Sequence, residues 1–482
     1  MNVGVIARNI GIALIFNALF MFFSLLVSAF NGFDSSFSPL FLSAVITFVF
    51  GSFPLIFVKN KNDINTKEGL AIILFSWILS CIFGMIPYVL WGGEFTLANA
   101  WFESSSGITT TGATIVNDIE ALPKGLLFWR SSTHFIGGLG VVVFMMMILP
   151  SLGSIKLRMR QMEISDVSKS NYRYKSNQLI KVVFSVYIGL TISLIILLLC
   201  SGMSLFDAVN HAFSTVSTGG FSTRNLSIAA FNSPLIETIL MIYMILSSLH
   251  FGLIYSSIAS RSAKIFRDPV TKFYLTTILI AGLLVTINLR YTGTYDNIWL
   301  SLRESFFYVT SVISATGFAI DDTSVWPVFS ILILLYISIQ CGCSGSTTGG
   351  VKSDRVWILF KAARAQLMKI AHPNAVVTVK SGGRIIERDM ILNVALFVLV
   401  YLFVILIGSM IYAACGLELM ESLSSSVALM CNIGPAFGSV GSLDNFSQVP
   451  SFAKIVMGIQ MIVGRLGVFS VLIIFTIFRR NN

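Results

Sequence analysis

The feature that most constrains this chain is a series of long stretches without a single charged side chain. They run 9–33, 35–58, 69–93, 131–155, 182–206, 238–260, 273–289, 323–351 and 390–417, and a tenth, 455–478, is interrupted only by Arg465. A helix needs about 20 mostly apolar residues to cross a bilayer, so the chain reads as ten spans. Composition agrees: 11% of residues are charged and mean hydropathy is +0.84, against about 25% charge in soluble domains. A soluble enzyme, a disordered chain and a nucleic-acid binder are excluded as whole-chain readings. The first stretch exceeds the roughly 7–15 apolar residues of a secretory leader and is read as a span. The cysteines at 81, 200, 341, 343, 415 and 431 lie in or beside apolar runs, as small buried hydrophobes do.

Lys and Arg concentrate on the cytoplasmic side of membrane proteins. With the N-terminus inside, most of them fall in cytoplasmic segments, including seven between 156 and 181 and eight between 352 and 388. Both termini are therefore expected in the cytoplasm. The acidic residues favour the opposite face, and a negative outer vestibule concentrates cations.

Four of the outer connections, 94–130, 204–233, 293–322 and 418–450, are long and apolar. Each begins with a helix-like stretch too short to span. Each then reaches a glycine among small and hydroxyl residues: ITTTG ending at Gly112, TVSTG at Gly219, ISATG at Gly317 and MCNIG at Gly434. N-cap candidates precede these glycines: Thr96, Ser301 and Glu418 by 16 residues, Ser204 by 15. Ser204-x-x-Asp207 and Ser301-x-x-Glu304 have the capping-box form. The expected fold is an all-α polytopic membrane protein with four pseudo-symmetric span–pore-helix–span repeats around a central pore, behind two leading transmembrane helices. The boundaries are 1–65 for the leading pair and 66–160, 161–268, 269–386 and 387–482 for the repeats, the third with a broken second span. Non-helical backbone at membrane depth belongs where it lines a watery path or is buried in protein. A short helix aims its negative C-terminal end at that path. A glycine turn can then present carbonyls in place of an ion's hydration shell.

These motifs resemble the superfamily of Trk, Ktr and HKT potassium transporters over nearly the whole chain. The matches are TTTGAT at 109–114, STGGFST at 217–223, SATGF at 314–318, NIGPAFG at 432–438, GGLG at 137–140, CGCSGSTTGGVKSDR at 341–355 and HPNAVV at 372–377. The resemblance implies potassium uptake across the bacterial inner membrane, with potassium as substrate and no cofactor in this chain. It implies a homodimer, contact with membrane lipid, and a cytosolic TrkA-like nucleotide-binding regulatory subunit, with no nucleic acid as partner. The filter residues it implies are Thr110, Thr111, Gly112, Thr218, Gly219, Gly220, Thr316, Gly317, Asn432, Ile433 and Gly434. Glycine at all four filter positions favours potassium over sodium. Two positions depart from the family pattern: Ile433 stands where the other repeats have Thr, and Gly467 where an acidic residue is expected. A sodium-selective or ion-coupled member of the superfamily stays open as an alternative.

The Gly-rich stretch 342–353 interrupts a span, as substrate pathways do. Gly345, Ser346, Thr347, Thr348, Gly349 and Gly350, with Arg465 at similar depth, are read as a gate below the filter. A charge at that depth must face protein or water. Competing readings are a structural kink, a P-loop whose Lys352 comes one residue late, and an intramembrane serine protease built on Ser344 with His250 or His134 as base. The protease leaves the four repeats unexplained, and the chain is read as a transporter and not an enzyme. His211 is expected to be a packed residue, Glu103 to support the first pore helix from behind, and Asp321 and Asp322 to face the vestibule.

Overall fold

The computed structural model describes residues 2–59, 65–148, 176–375, 377–382 and 384–472. The basic segment 156–175, Arg479 and Arg480 lie outside the described residues. Helices α1 (Val3–Phe30) and α2 (Phe37–Phe57) pack along each other. They meet at Gly11 and Gly51, where a Cβ on Gly51 would stand 3.0 Å from the Gly11 carbonyl oxygen. Small residues allow such close approach in membranes.

One pattern then recurs four times. The first set is α3 (Thr66–Gly84) extended by α4 (Ile86–Trp91), the short α5 (Leu97–Ile108), and α6 (Lys124–Ile148). The second is α7 (Ser176–Cys200), α8 (Leu205–Val216), and α9 (Pro234–Ser248) extended by α10 (Phe251–Ala259). The third is α11 (Pro269–Tyr291), α12 (Ile298–Ile313) and α13 (Val328–Gln340), followed by α14 (Ser353–Ala371) outside the pattern. The fourth is α15 (Arg388–Ala414), α16 (Leu419–Met430) and α17 (Ser451–Leu466). Each short helix packs on the first helix of its own set and on the last helix of the set before: α8 on α7 and α6, α12 on α11 and α9, α16 on α15 and α13. The cycle closes where α5 packs on α3 and α17.

Among the described residues, six helical segments are long and apolar enough to cross a membrane: α1, α2, α3 with α4, α7, α11 and α15. The expected straight span 238–260 is instead two helices bent by 101°. Leu249 is extended and His250 caps α10, accepting from Leu253 N–H. The backbone groups freed by the break are met from the 341–352 segment: Ser248 O accepts from Cys343 N–H at 2.8 Å, and Phe251 N–H donates to Gly345 O at 3.1 Å. Helix α13 stops at Gln340, where Cys341 takes φ +53°, and α17 stops before Gly467 at φ +80°. Residues 473–478 of the expected last span lie outside the described residues.

The exposed surface of the helices is apolar, and many hydroxyl side chains are buried beside the hydrophobic core. Phe48, Phe50, Phe53 and Phe57 of α2 and Leu399, Phe403, Leu406 and Met410 of α15 are exposed. Ser104, Ser105, Ser106, Ser131, Ser132 and Thr133 are buried. In a bilayer, polar side chains turn to the protein interior.

Candidate ion pathway

The four short helices end alike. After α5, Thr110 N–H donates to Gly107 O and Thr111 N–H to Ser106 O. After α8 the donors are Thr218 and Gly219, after α12 Ala315 and Thr316, and after α16 Asn432 and Ile433, each reaching the corresponding carbonyls. This is the Schellman helix end, whose left-handed residue is usually Gly. Here it is Thr110, Thr218, Ala315 and Asn432, with φ between +52° and +56°. A β-branched residue at positive φ is a real outlier, and strain of this kind, of order 1–3 kcal/mol, concentrates at functional sites.

Two residues further on the chain is left-handed again, at Gly112, Gly220, Gly317 and Gly434. This corrects the sequence alignment: the second-repeat counterpart of Gly112 is Gly220 and not Gly219. Gly220 stands 16 residues after Ser204, matching the spacing in the first and fourth repeats. Gly219 instead lies against the His134 ring. The capping expectation also fails in the third repeat. Helix α12 starts earlier, at the N-cap Asn297, and Ser301 lies inside it. Thr96, Ser204 and Glu418 cap as expected.

The four turns touch in cyclic order. A Cβ on Gly112 would strike the Gly219 carbonyl oxygen, one on Gly220 that of Thr316, one on Gly317 that of Ile433, and one on Gly434 that of Thr111 at 2.5 Å. All four approaches are under 3.0 Å and all are to backbone. Asn432 Nδ2 donates to Thr111 Oγ1 at 3.0 Å across the closure. Thr110 Oγ1 and Asn432 Oδ1 are buried without a protein partner.

Behind the first two turns sits a buried ion pair. Arg130 Nε is 2.7 Å from Glu103 Oε1, and Glu103 also accepts from Thr114 and from Ile115 N–H. Arg130 donates to Ser222 O and lies 4.1 Å from the Phe221 ring centre, so one guanidinium braces both turns. Glu103 thus supports its helix as expected, while the sequence reading passed over Arg130. His211 is a structural residue, with Nδ1 2.8 Å from Asp207 O and Nε2 2.9 Å from Ser222 Oγ. Asp321 and Asp322 are half-exposed; Asp321 accepts from Tyr295, and Asp322 caps the turn at Ser324.

The segment 341–352 lies beneath the helix ends. Thr347 Oγ1 donates to Val216 O, the last carbonyl of α8, at 3.0 Å. Gly349 abuts Cys431 O and Asn432 at the end of α16. Arg465 Nη1 donates to Thr347 O at 2.6 Å; its Nε and Nη2 are buried with no partner. Lys352 Nζ donates to Thr348 O and Thr348 Oγ1, a tether the sequence did not reveal. The segment is not helical. It is instead tied down by those bonds, by Cys343 N–H and by Gly345 O. Ser344 gives its backbone N–H to Asp354 at 2.9 Å, and His134 is engaged with Ser214 at 3.0 Å and stacked on Phe221. Of the two candidate bases for Ser344, His134 is thus engaged with Ser214, and His250 caps α10 by accepting from Leu253 N–H.

Known proteins are similar to this chain in sequence and fold. A family model described as TrkH, cation transport protein, matches residues 38–481. The Trk system potassium uptake protein TrkH of Salmonella typhimurium is 34% identical over 421 residues, 87% of each chain. That of Halomonas elongata is 32% identical over 489 residues, 99% of each. The crystal structure of the potassium transporter TrkH from Vibrio parahaemolyticus aligns at TM-score 0.89 with 26% identity, covering 99% of this chain and 100% of that one. With a match over most of its length and the same helical architecture, the chain belongs to the TrkH family of cation transport proteins, a family of transporters and not of enzymes.

Proposed function

We propose that this chain takes up potassium across the bacterial cytoplasmic membrane, with both termini in the cytoplasm. The four sets of helices, in the units 66–160, 161–268, 269–386 and 387–482, stand with approximate fourfold symmetry around a pore. The selectivity filter is the ring of turns Thr110–Thr111–Gly112, Thr218–Gly219–Gly220, Ala315–Thr316–Gly317 and Asn432–Ile433–Gly434. The observation that carries this reading is the cyclic contact of four identical, strained helix ends. A left-handed Thr, Ala or Asn is costly, and its recurrence at all four helix ends is accounted for by a ring of backbone oxygens that replaces an ion's hydration shell. The names of the relatives, potassium uptake proteins, support the choice of ion.

Residues 345–350 and Arg465 close the path below the ring. The segment blocks the space into which the C-terminal ends of α8 and α16 point, and the guanidinium repels a cation there. The basic cytoplasmic segments dock a nucleotide-binding regulatory protein, and the chain works as a homodimer. An inside-negative potential supplies about 2.3 kcal/mol per elementary charge per 100 mV, so no coupled ion is required. The test is radiotracer uptake of potassium and sodium into proteoliposomes, with and without an imposed potential. Potassium-selective uptake that follows the potential supports the reading. Equal uptake of both ions, or uptake that needs a proton or sodium gradient, refutes it.

A further inference from the structure

At one position the four short helices differ in a way that transport alone does not explain. Thirteen residues before each ring glycine stand Asn99, Asp207, Glu304 and Glu421. Three of the four are satisfied. Asn99 Oδ1 accepts from Lys454 Nζ at 2.8 Å. Asp207 accepts from Thr223 at 2.6 Å and Arg224 at 2.9 Å. Glu421 accepts from Ser439 N–H at 3.1 Å and from Glu418 N–H at 3.2 Å. In the third repeat the residues matching Thr223 and Arg224 are Ile320 and Asp321, a hydrophobe and a second acid. Glu304 is 5% exposed, and its Oε2 is buried without a hydrogen-bond partner. The adjacent Arg303 is engaged with Glu237 of α9, its Nε 2.6 Å from Oε2. Tyr295 donates to the Asp321 carboxylate and Tyr308 to the Asp321 carbonyl.

A buried carboxylate without a donor, in the field of a second acid, is a costly charge. The smallest relief is a proton. We propose that Glu304, with Asp321 acting on it, forms a proton-binding site beside the third turn, on the outer side, where Glu304 holds one proton exchangeable with the external solution. The charges acting on Glu304 are Asp321 from the segment after the turn, Arg303 from its own helix and Glu237 from α9. On the non-spanning helix α12, burial first and Asp321 second push its carboxyl up to about 7. Loss of the proton adds a negative charge near the ion entrance and raises local cation concentration. The Asp321 backbone carries this to the fourth repeat, because Ser442 Oγ donates to Asp321 O at 3.0 Å.

This inference rests on the transport reading for its consequence but not for the site, so two experiments separate them. In proteoliposomes, the half-saturating concentration for rubidium uptake should fall several-fold as external pH rises from 6 to 8. It should be independent of pH in Glu304→Gln, and the transition should move to lower pH in Asp321→Asn. Thermal unfolding of the purified protein reads the site without transport. The native state keeps the proton between about 4.5 and about 7 while the unfolded chain releases it, so stability falls as pH rises through that window. This fall should be reduced in Glu304→Gln. The same pH dependence in wild type and Glu304→Gln, in both measurements, overturns the proposal. A fall in stability that Glu304→Gln reduces, without any rubidium uptake, upholds the proton site and refutes the transport reading instead.

Discussion

Gly112→Ser puts the ring to its sharpest test. Gly112 has φ +82°, and its Cα lies so close to the Gly219 carbonyl oxygen that any Cβ overlaps it. The substitution therefore costs twice. A left-handed L-residue loses about 1–2 kcal/mol. The overlap is with backbone, so no rotamer relieves it, and the carbonyl must retreat. Gly92 separates the two costs, because at φ +83° it has nothing within 4 Å of a Cβ; Gly92→Ser bears the backbone strain alone. A ring whose oxygens have shifted by several tenths of an ångström no longer fits one ion. Since about 1.4 kcal/mol is a factor of ten, the potassium-to-sodium uptake ratio in Gly112→Ser should fall by about tenfold or more, with Gly92→Ser near wild type. Gly220→Ser and Gly317→Ser should follow Gly112→Ser. Gly219→Ser, which strikes the His134 ring, should lower thermal stability. The assay is competitive rubidium and sodium uptake at matched protein density. An unchanged ratio in Gly112→Ser, or an equal fall in Gly92→Ser, would refute the reasoning.

Arg465→Ala removes the bond to Thr347 O and the buried cation, and should raise potassium flux several-fold without a regulatory partner while selectivity falls less than in Gly112→Ser; reduced flux at normal expression would make Arg465 a support and not a gate. Deleting 345–350 should also raise flux, but it severs the bonds to Phe251 and Val216 as well, so thermal stability should drop in this variant and not in Arg465→Ala. Glu103→Gln leaves the Arg130 cation buried beside a neutral amide; breaking a buried pair costs about 3–5 kcal/mol, read as a lowered unfolding temperature that Glu103→Gln with Arg130→Met should partly restore. The regulatory reading expects a nucleotide-binding protein to co-purify and uptake to respond to ATP, ADP or NADH; indifference to all three, with no partner recovered, would count against it.

The apolar stretches and the short helices were legible because burial in lipid leaves an unmistakable pattern, and caps such as Thr96 and Ser204 mark helix starts by local chemistry. The register of the second turn was obscured by the Gly219–Gly220 doublet. Its one trace was the spacing of 15 residues from Ser204 where 16 holds elsewhere. The bend at Leu249 was hidden because the groups that satisfy it come from residues nearly a hundred positions away, and no local pattern records them. Arg130 stands at the edge of a charge-free stretch, and nothing in the local sequence pairs it with Glu103, 27 residues before it. The tethers of the 341–352 segment are mostly backbone carbonyls on other helices, which any sequence could supply.

The closure of the four turns also has a chronology. Helix α5 packs on α17, and Asn432 bonds to Thr111 across 321 positions. A ribosome delivers the first turn, at Gly112, long before the fourth, at Gly434, so the ring stays open on one side until most of the chain has been made. Contacts of such sequence separation form late and slowly. The ring of turns therefore closes only once the fourth turn has been made, and a chain truncated before α17 leaves α5 without that neighbour. That gap leaves an α5 flank with Trp101, whose indole N–H donates to Ile455 O of α17.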